Sequence, residues 1–355
     1  MSKQTLNNIF FLCGIAACVV MLFTFDVSFA ELWQHICHAG YWLIPIIGVW
    51  FVIYGINALA WNCTIRGVMS QEGSNAAGSI PSFWRIYKLT ISGYALNYAT
   101  PVGGLGGEPY RIMELSRDIP KQQATSSVIL YAMMHVFAHF WFWFTSIFLY
   151  LILALCGDLP LNYTIGWCLD FIAVLFFAAL FLFSKGYKNG LVVKVLGWVG
   201  KIPGLRGWSR RFTERHAEAL HNVDSQIAAL HSQDKKAFYS SLSLEYLSRI
   251  VQSLEVLFML LLFGVDCGGG FGGIMLTFLH SILIVAFTTF FANLIGFLPM
   301  QLGVQEGGFV LSIAALGLSA ALGIFVSIIC RVREIVWIFV GIMLMKVDAN
   351  SEGKL

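Results

Sequence analysis

Long apolar runs, separated by short polar stretches, fill the chain from end to end. A run of about 20 residues crosses a hydrocarbon layer of roughly 30 Å as an α-helix. A helix also satisfies its own backbone N–H and C=O groups where no water can do so. The pattern predicts spanning helices over 9–25, 41–61, 126–155, 164–183, 238–264 and 318–345. Two further apolar stretches, 82–108 and 274–317, are broken by Gly and Pro and are expected to enter the membrane and return as re-entrant hairpins. The expected fold is therefore all-α and integral to a membrane, with six full crossings and two re-entrant elements.

Composition agrees: 58% of the 355 residues are hydrophobic and only 12% are charged, which leaves too little polar surface to cover a water-soluble core. The eight cysteines are scattered, with no C-x-x-C pair, and suggest neither a disulfide framework nor a zinc site. Lys3, the first apolar run and the ending Ser28-x-Ala30 could pass for a secretory signal. Because more membrane segments follow at once, a retained first helix is expected.

Charge in the connections sets an orientation. Residues 26–40, 156–163 and 265–273 hold no Lys or Arg, whereas 184–236 holds ten against four Asp and Glu. Basic connections stay on the cytoplasmic side, so both termini are expected there, with the protein in a bacterial inner membrane. Within the basic connection, 188–201 alternates lysines with Leu, Val and Trp and predicts an amphipathic helix on the inner leaflet.

The most informative feature is an internal repeat. Asn97-Tyr-Ala-Thr-Pro101-Val-Gly-Gly-Leu-Gly-Gly-Glu108 parallels Asn293-Leu-Ile-Gly-Phe-Leu-Pro299-Met-Gln-Leu-Gly-Val-Gln-Glu306, each reading Pro, six residues, Glu. Pro101, Gly103 and Gly104 in one, and Pro299, Gly303 and Gly307 in the other, make continuous helix costly and are expected to keep it broken. Arg85 and Lys88 before the first break, with Arg111, Arg117 and Lys121 after it, put both of its ends on the cytoplasmic side; the second hairpin is expected to enter from the opposite side. Three crossings in each half then give two inverted repeats, 1–155 and 156–355, a plan in which transporters place their substrate site where the broken helices meet.

Ionisable groups crowd these breaks: Glu108 and Arg111 in one half, and Glu306, Arg331, Arg333 and Glu334 in the other. A charge at membrane depth costs about 2.5 to 3.5 kcal/mol on insertion scales, so it faces a cavity or a partner. Glu108 to His135 and Glu306 to Arg333 are both 27 residues apart, which supports pairing across the halves, with a basic or protonatable group returning on the following long helix in each half. Glu245 and Arg249, one turn apart, suit an ion pair. His135 and His139 share a helix face and could relay protons, bind a metal or simply pack. Buried Glu–Arg pairs that fix helix packing are the structural alternative. Arginine forks and free N–H groups after a helix break suit a phosphate, so an anionic lipid headgroup is the expected ligand, with Asn97, Glu108, Arg111, Asn293, Glu306, Arg331 and Arg333 as its site.

Pro299-Met-Gln-Leu-Gly303-Val-Gln-Glu306-Gly307, the preceding Asn293 and the following Arg331, together with Asn97, Pro101, Gly104, Glu108, Arg111 and Arg117, resemble the lysylphosphatidylglycerol synthase transmembrane-region family. The resemblance covers nearly the whole chain. It implies an inverted-repeat flippase domain that moves a phospholipid, or a polyprenyl-phosphate type of lipid, between leaflets. With the chain ending at Leu355, the soluble aminoacyl-transferase domain of the family's best-known members is expected to be absent. Where many members place a Glu–Arg pair early in the helix after the first motif, this chain has Tyr131 and His135.

No nucleotide-binding G-x-x-x-x-G-K-[ST] loop occurs, and neither a cofactor nor a nucleic-acid partner is expected. The competing reading is an intramembrane transferase in which Glu108 and Glu306 act as general acid and base on a lipid headgroup. A third reading is an accessory subunit of a lipid-synthesising enzyme. A homo-oligomer is compatible with each.

Overall fold

The computed structural model describes residues 40–71, 80–99, 106–160, 163–186, 234–265, 268–294 and 304–352. The expected first helix, the amphipathic segment 188–201 and most of the basic connection lie outside the described residues, as do Pro101, Gly103, Gly104, Pro299 and Gly303.

The described residues are all-α, as expected, and contain no strand. After a short 3-10 turn at Gly40–Trp42, the helices are α1 (Leu43–Gln71), α2 (Phe83–Ala99), α3 (Gly107–Leu115), α4 (Lys121–Leu155) and α5 (Tyr163–Gly186). They continue with α6 (Lys235–Leu262), α7 (Gly270–Leu294), α8 (Val304–Ala315) and α9 (Ala320–Glu352). Among the described residues, three stretches are long and apolar enough to cross a membrane: Gly40–Ser70, Lys121–Leu155 and Gly270–Leu294. At 1.5 Å per residue, the 35-residue α4 is roughly 52 Å long and outruns the hydrocarbon layer. Helices α6 and α9 are comparably long, with 28 and 33 residues. Their apolar runs are interrupted by Glu245, Arg249 and Glu255, and by Arg331, Arg333 and Glu334.

Those charges point inward. Arg111, Glu245, Arg249, Glu255, Arg331, Arg333 and Glu334 are all buried, while Phe51, Phe148, Ile152, Val174 and Phe177 are exposed. An apolar exterior around a polar interior reverses the arrangement of a water-soluble protein and suits a lipid solvent.

Both broken segments fold back on themselves. α2 and α3 form a hairpin so tight that a β-carbon on Gly107 would run into the Gly93 carbonyl oxygen, and one on Gly93 into the Arg111 guanidinium. Asn97 staples the turn: its Oδ1 accepts the Gly107 N–H at 2.6 Å and its Nδ2 donates to Glu108 Oε1 at 3.2 Å. The amide thereby satisfies a backbone donor that the start of α3 leaves open. At the other end Arg85, on the first turn of α2, reaches Glu114 at 3.1 Å and Asp118 at 3.2 Å, and Arg117 meets Glu114 at 2.9 Å. The two ends of the hairpin therefore stand side by side.

In the second hairpin, α7 and α8 meet at Gly308, where a β-carbon would lie 3.2 Å from the Thr288 methyl, and the Thr288 and Ser312 hydroxyls are 3.1 Å apart. At 25 residues α7 is long enough to cross a membrane by itself, longer than a re-entrant arm requires. Gly307 sits within α8, where a β-carbon would meet nothing within 4 Å, so it neither breaks the helix nor permits a close contact.

Around the hairpins, α1 packs along α6, α2 against α9, and α7 against α4. Small residues bring α2 and α9 together: Ser92 donates to the Gly341 carbonyl at 3.1 Å, and a β-carbon on Gly341 would strike Ala95. Substituting Gly107→Ala should therefore lower stability by about 1–3 kcal/mol through overpacking. Gly48→Ala, in the second turn of α1 where nothing lies within 4 Å, should be neutral or raise it by about 0.5–1 kcal/mol. Thermal unfolding of both variants in detergent checks the contrast.

Candidate functional site

Where the two hairpins face one another, the interior opens into a cavity of about 350 Å³. The first hairpin contributes Tyr94, Asn97, Glu108 and Arg111; the second contributes Thr288, Asn293 and Gln305. α4 adds Tyr131, His135 and His139, α6 adds Arg249, Gln252 and Glu255, and α9 adds Arg333 and Glu334. On α6, positions 249, 252 and 256 follow the three-to-four spacing that keeps one helix face toward the cavity.

Arg111 sits in an aromatic box, with its guanidinium carbon 4.7 Å from the Tyr94 ring centre and 5.6 Å from those of Trp61 and Tyr131. Rings at this range stabilise a desolvated cation. Its Nη2 donates to the Thr90 carbonyl at 3.2 Å and its Nη1 lies 3.6 Å from Glu108. Glu108 thus lies at the first turn of α3, where the helix dipole favours an anion, and its contacts are Asn97 and Arg111 rather than His135.

Across the cavity, Arg333 grips Glu255 with two hydrogen bonds of 2.7 and 3.2 Å and stacks 3.9 Å from the Trp50 ring centre. Trp50 Nε1 donates to the same carboxylate at 2.8 Å. This pair joins α1, α6 and α9. Beside it, Arg331 bridges Glu306 at 2.8 Å and Glu334 at 2.9 Å, and Gln305 donates to Glu334 at 2.9 Å. The partner of Glu306 is Arg331 rather than Arg333, because Arg333 is turned to α6. Glu306 and Arg331 stand outside the cavity lining, bracing α8 against α9.

His135 lies between Glu245 and Arg249. Its Nδ1 is 2.8 Å from Glu245 Oε2, and Arg249 Nη2 approaches the ring nitrogens at 2.9 and 3.0 Å. Arg249 also donates to Gln252 at 3.1 Å and is 3.6 Å from Glu245, the expected one-turn pair. His139 turns its Nδ1 to the His135 carbonyl at 3.0 Å. Asn293, at the repeat position of Asn97, bonds back to Thr289 in its own helix at 2.7 Å and makes no matching staple among the described residues.

Of the residues predicted to form the site, Asn97, Glu108, Arg111, His135, His139, Asn293 and Arg333 are brought together. Glu255, Trp50 and the aromatic box were missed. Glu255 is a lone carboxylate in the apolar end of α6, a signal that the cost of a buried charge makes readable. The aromatic box leaves no trace among so many aromatic residues.

The lining carries Arg111, Arg249 and Arg333 against Glu108, Glu255 and Glu334, so its formal charges balance apart from the histidines. A site so arranged can hold a phosphate at an arginine and still offer carboxylates and amides to the rest of a polar group. The Glu255–Arg333 pair yields a stability test. Arg333→Met should cost about 3–5 kcal/mol by stranding a buried carboxylate. Adding Glu255→Gln, which keeps an acceptor for Trp50, should recover more than half of that loss in thermal unfolding.

Comparison with known proteins agrees with this architecture. Residues 10–341 match the family model described as the lysylphosphatidylglycerol synthase TM region. Over 295 residues the chain is 23% identical to a UPF0104 membrane protein of Methanothermobacter thermautotrophicus, covering 79% of this chain and 77% of the relative. No solved structure matches. The chain is a membrane protein and belongs to the lysylphosphatidylglycerol synthase transmembrane-region family.

Proposed function

We propose that this chain is a lipid flippase that receives the headgroup of an anionic or modified phospholipid, or of a polyprenyl-phosphate type of lipid, in the cavity and passes it between leaflets. The observation that carries the reading is the cavity itself: a polar, charge-lined space of about 350 Å³ inside a protein whose outside is apolar. That volume is at the small end of ordinary ligand pockets, which run from about 300 to 1,000 Å³. It suits a headgroup whose acyl chains stay in the bilayer.

The repeated Pro-x6-Glu motif and the packing of α2 on α9 and of α7 on α4 support a two-half plan in which the hairpins rock around a fixed site. In this plan the first half ends at residue 155 and the second begins at 156, with the halves inverted and the hairpins re-entrant. Arg111 and Arg249 would meet the phosphate, since neither is locked in a bidentate pair as Arg333 is. Asn97 and Glu108 would gate the hairpin, whereas Glu306 and Arg331 would act as a brace. The family relationship fits a lipid substrate.

Leaflet exchange of fluorescent phospholipids in proteoliposomes, read by dithionite quenching, tests the reading. Ala132→Trp, which fills the cavity wall on α4, should slow exchange by at least about tenfold, equivalent to about 1.4 kcal/mol on the barrier. Phe148→Trp, on the apolar exterior of the same helix, should leave it unchanged. Equal rates in both variants, or no exchange by the wild type, would overturn translocation through this cavity; headgroup turnover in detergent would then favour a transferase.

A further inference from the structure

His135 is held in an arrangement that has consequences for the ligand. A neutral imidazole offers one N–H donor and one lone pair. With Glu245 ionised, the 2.8 Å contact of Nδ1 to its Oε2 places the ring proton on Nδ1. Nε2 then holds the lone pair, and Arg249 Nη2 stands 2.9 Å from Nδ1 and 3.0 Å from Nε2, against the ring rather than in line with either nitrogen. A second proton on Nε2 would set two positive charges together, so His135 can take up that proton only when Arg249 withdraws.

Arg249 has reason to move. It lines the cavity, its Nε is buried without a hydrogen-bond acceptor, and its ties to Gln252 and Glu245 are single contacts of 3.1 and 3.6 Å. An anion entering the cavity offers it a better acceptor. The groups facing His135 would not repel the incoming proton strongly once the guanidinium has turned. Glu245 on α6 remains as its carboxylate partner, Tyr94 on α2 is 3.3 Å from Nδ1, and Tyr131 and His139 stand on α4 itself. Arg111 on α3 is the remaining cation, boxed by aromatic rings and facing Glu108.

We propose that the cavity binds a phosphate-bearing headgroup together with one proton: the headgroup draws Arg249 away from His135, and His135 takes up the proton on Nε2 beside Glu245. No bond other than N–H is made, and the proton comes from solvent. The inference rests on the reading of the cavity as a headgroup site and adds its coupling ion. Linkage is reciprocal: if binding takes up a proton, lowering the pH tightens binding, by as much as about tenfold per pH unit for one proton.

The test uses the full chain in neutral maltoside micelles, titrated with dihexanoylphosphatidylglycerol by calorimetry at one pH in two buffers of different ionisation enthalpy. The wild type should take up about one proton per probe bound, with Kd falling as pH is lowered from about 8 to about 6. In His135→Gln, whose side chain can still donate to Glu245 but does not titrate, uptake should drop to near zero. Binding by the wild type without proton uptake overturns the linkage alone, and so does undiminished uptake in His135→Gln. Should that variant fail to fold or bind, the wild-type measurement decides by itself. Absence of any binding by the wild type overturns the headgroup site and this inference with it.

Discussion

Charge inside a membrane protein has to be answered by charge, and the Glu255–Arg333 pair is where this protein does so most completely. The guanidinium reaches both carboxylate oxygens, Trp50 donates to one of them from above, and its ring covers the cation. One pair thereby fixes α1, α6 and α9 relative to each other, three helices that have no water available to compensate a misplaced charge. α6 has the central role: its other charges, Glu245 and Arg249, reach His135 on α4. Two of the interior's ionic clusters thus meet on one helix, while apolar side chains face outward.

The same contacts shape the cavity. Several of the paired charges line it, and the hairpins, which fold on glycine and on the Asn97 staple, leave space between them. The resulting space is polar yet nearly charge-balanced, so a ligand enters by exchanging partners with groups already satisfied rather than by neutralising an excess of one sign. Such an exchange is reversible, and the same network that ties the helices together lines the opening.

Much of this was legible in the sequence. Apolar run lengths gave the long helices, because a membrane segment has few other solutions. The Pro-Gly-rich repeat marked where helix breaks off, although the first hairpin's return arm, Gly107–Leu115, lies beyond the expected 82–108, and the cost of buried charge singled out Glu108, Arg111 and Arg333. What failed was pairing over distance. A separation of 27 residues in both halves, Glu108 to His135 and Glu306 to Arg333, suggested pairing across the halves, but the partners come from other helices or from the adjacent turn. Spacing of three or four within a helix predicts contact, as it does for Glu245 with Arg249 and holds for Arg331 with Glu334, because the helix fixes that geometry. Longer separations depend on how helices are arranged, which a local pattern does not carry. Asn97 and Asn293 likewise share a motif position, yet only Asn97 meets its hairpin's second helix among the described residues.

The claim on which the account turns is that the cavity opens alternately to the two sides of the membrane. Single cysteines at Ala132 and Gln252, both in the cavity wall, in a background with the native cysteines replaced, can be labelled with a membrane-impermeant thiol reagent from either face of oriented vesicles. The account predicts labelling from both faces at both positions, slowed when the transported lipid is present. Labelling from one face only, or from neither, would contradict it.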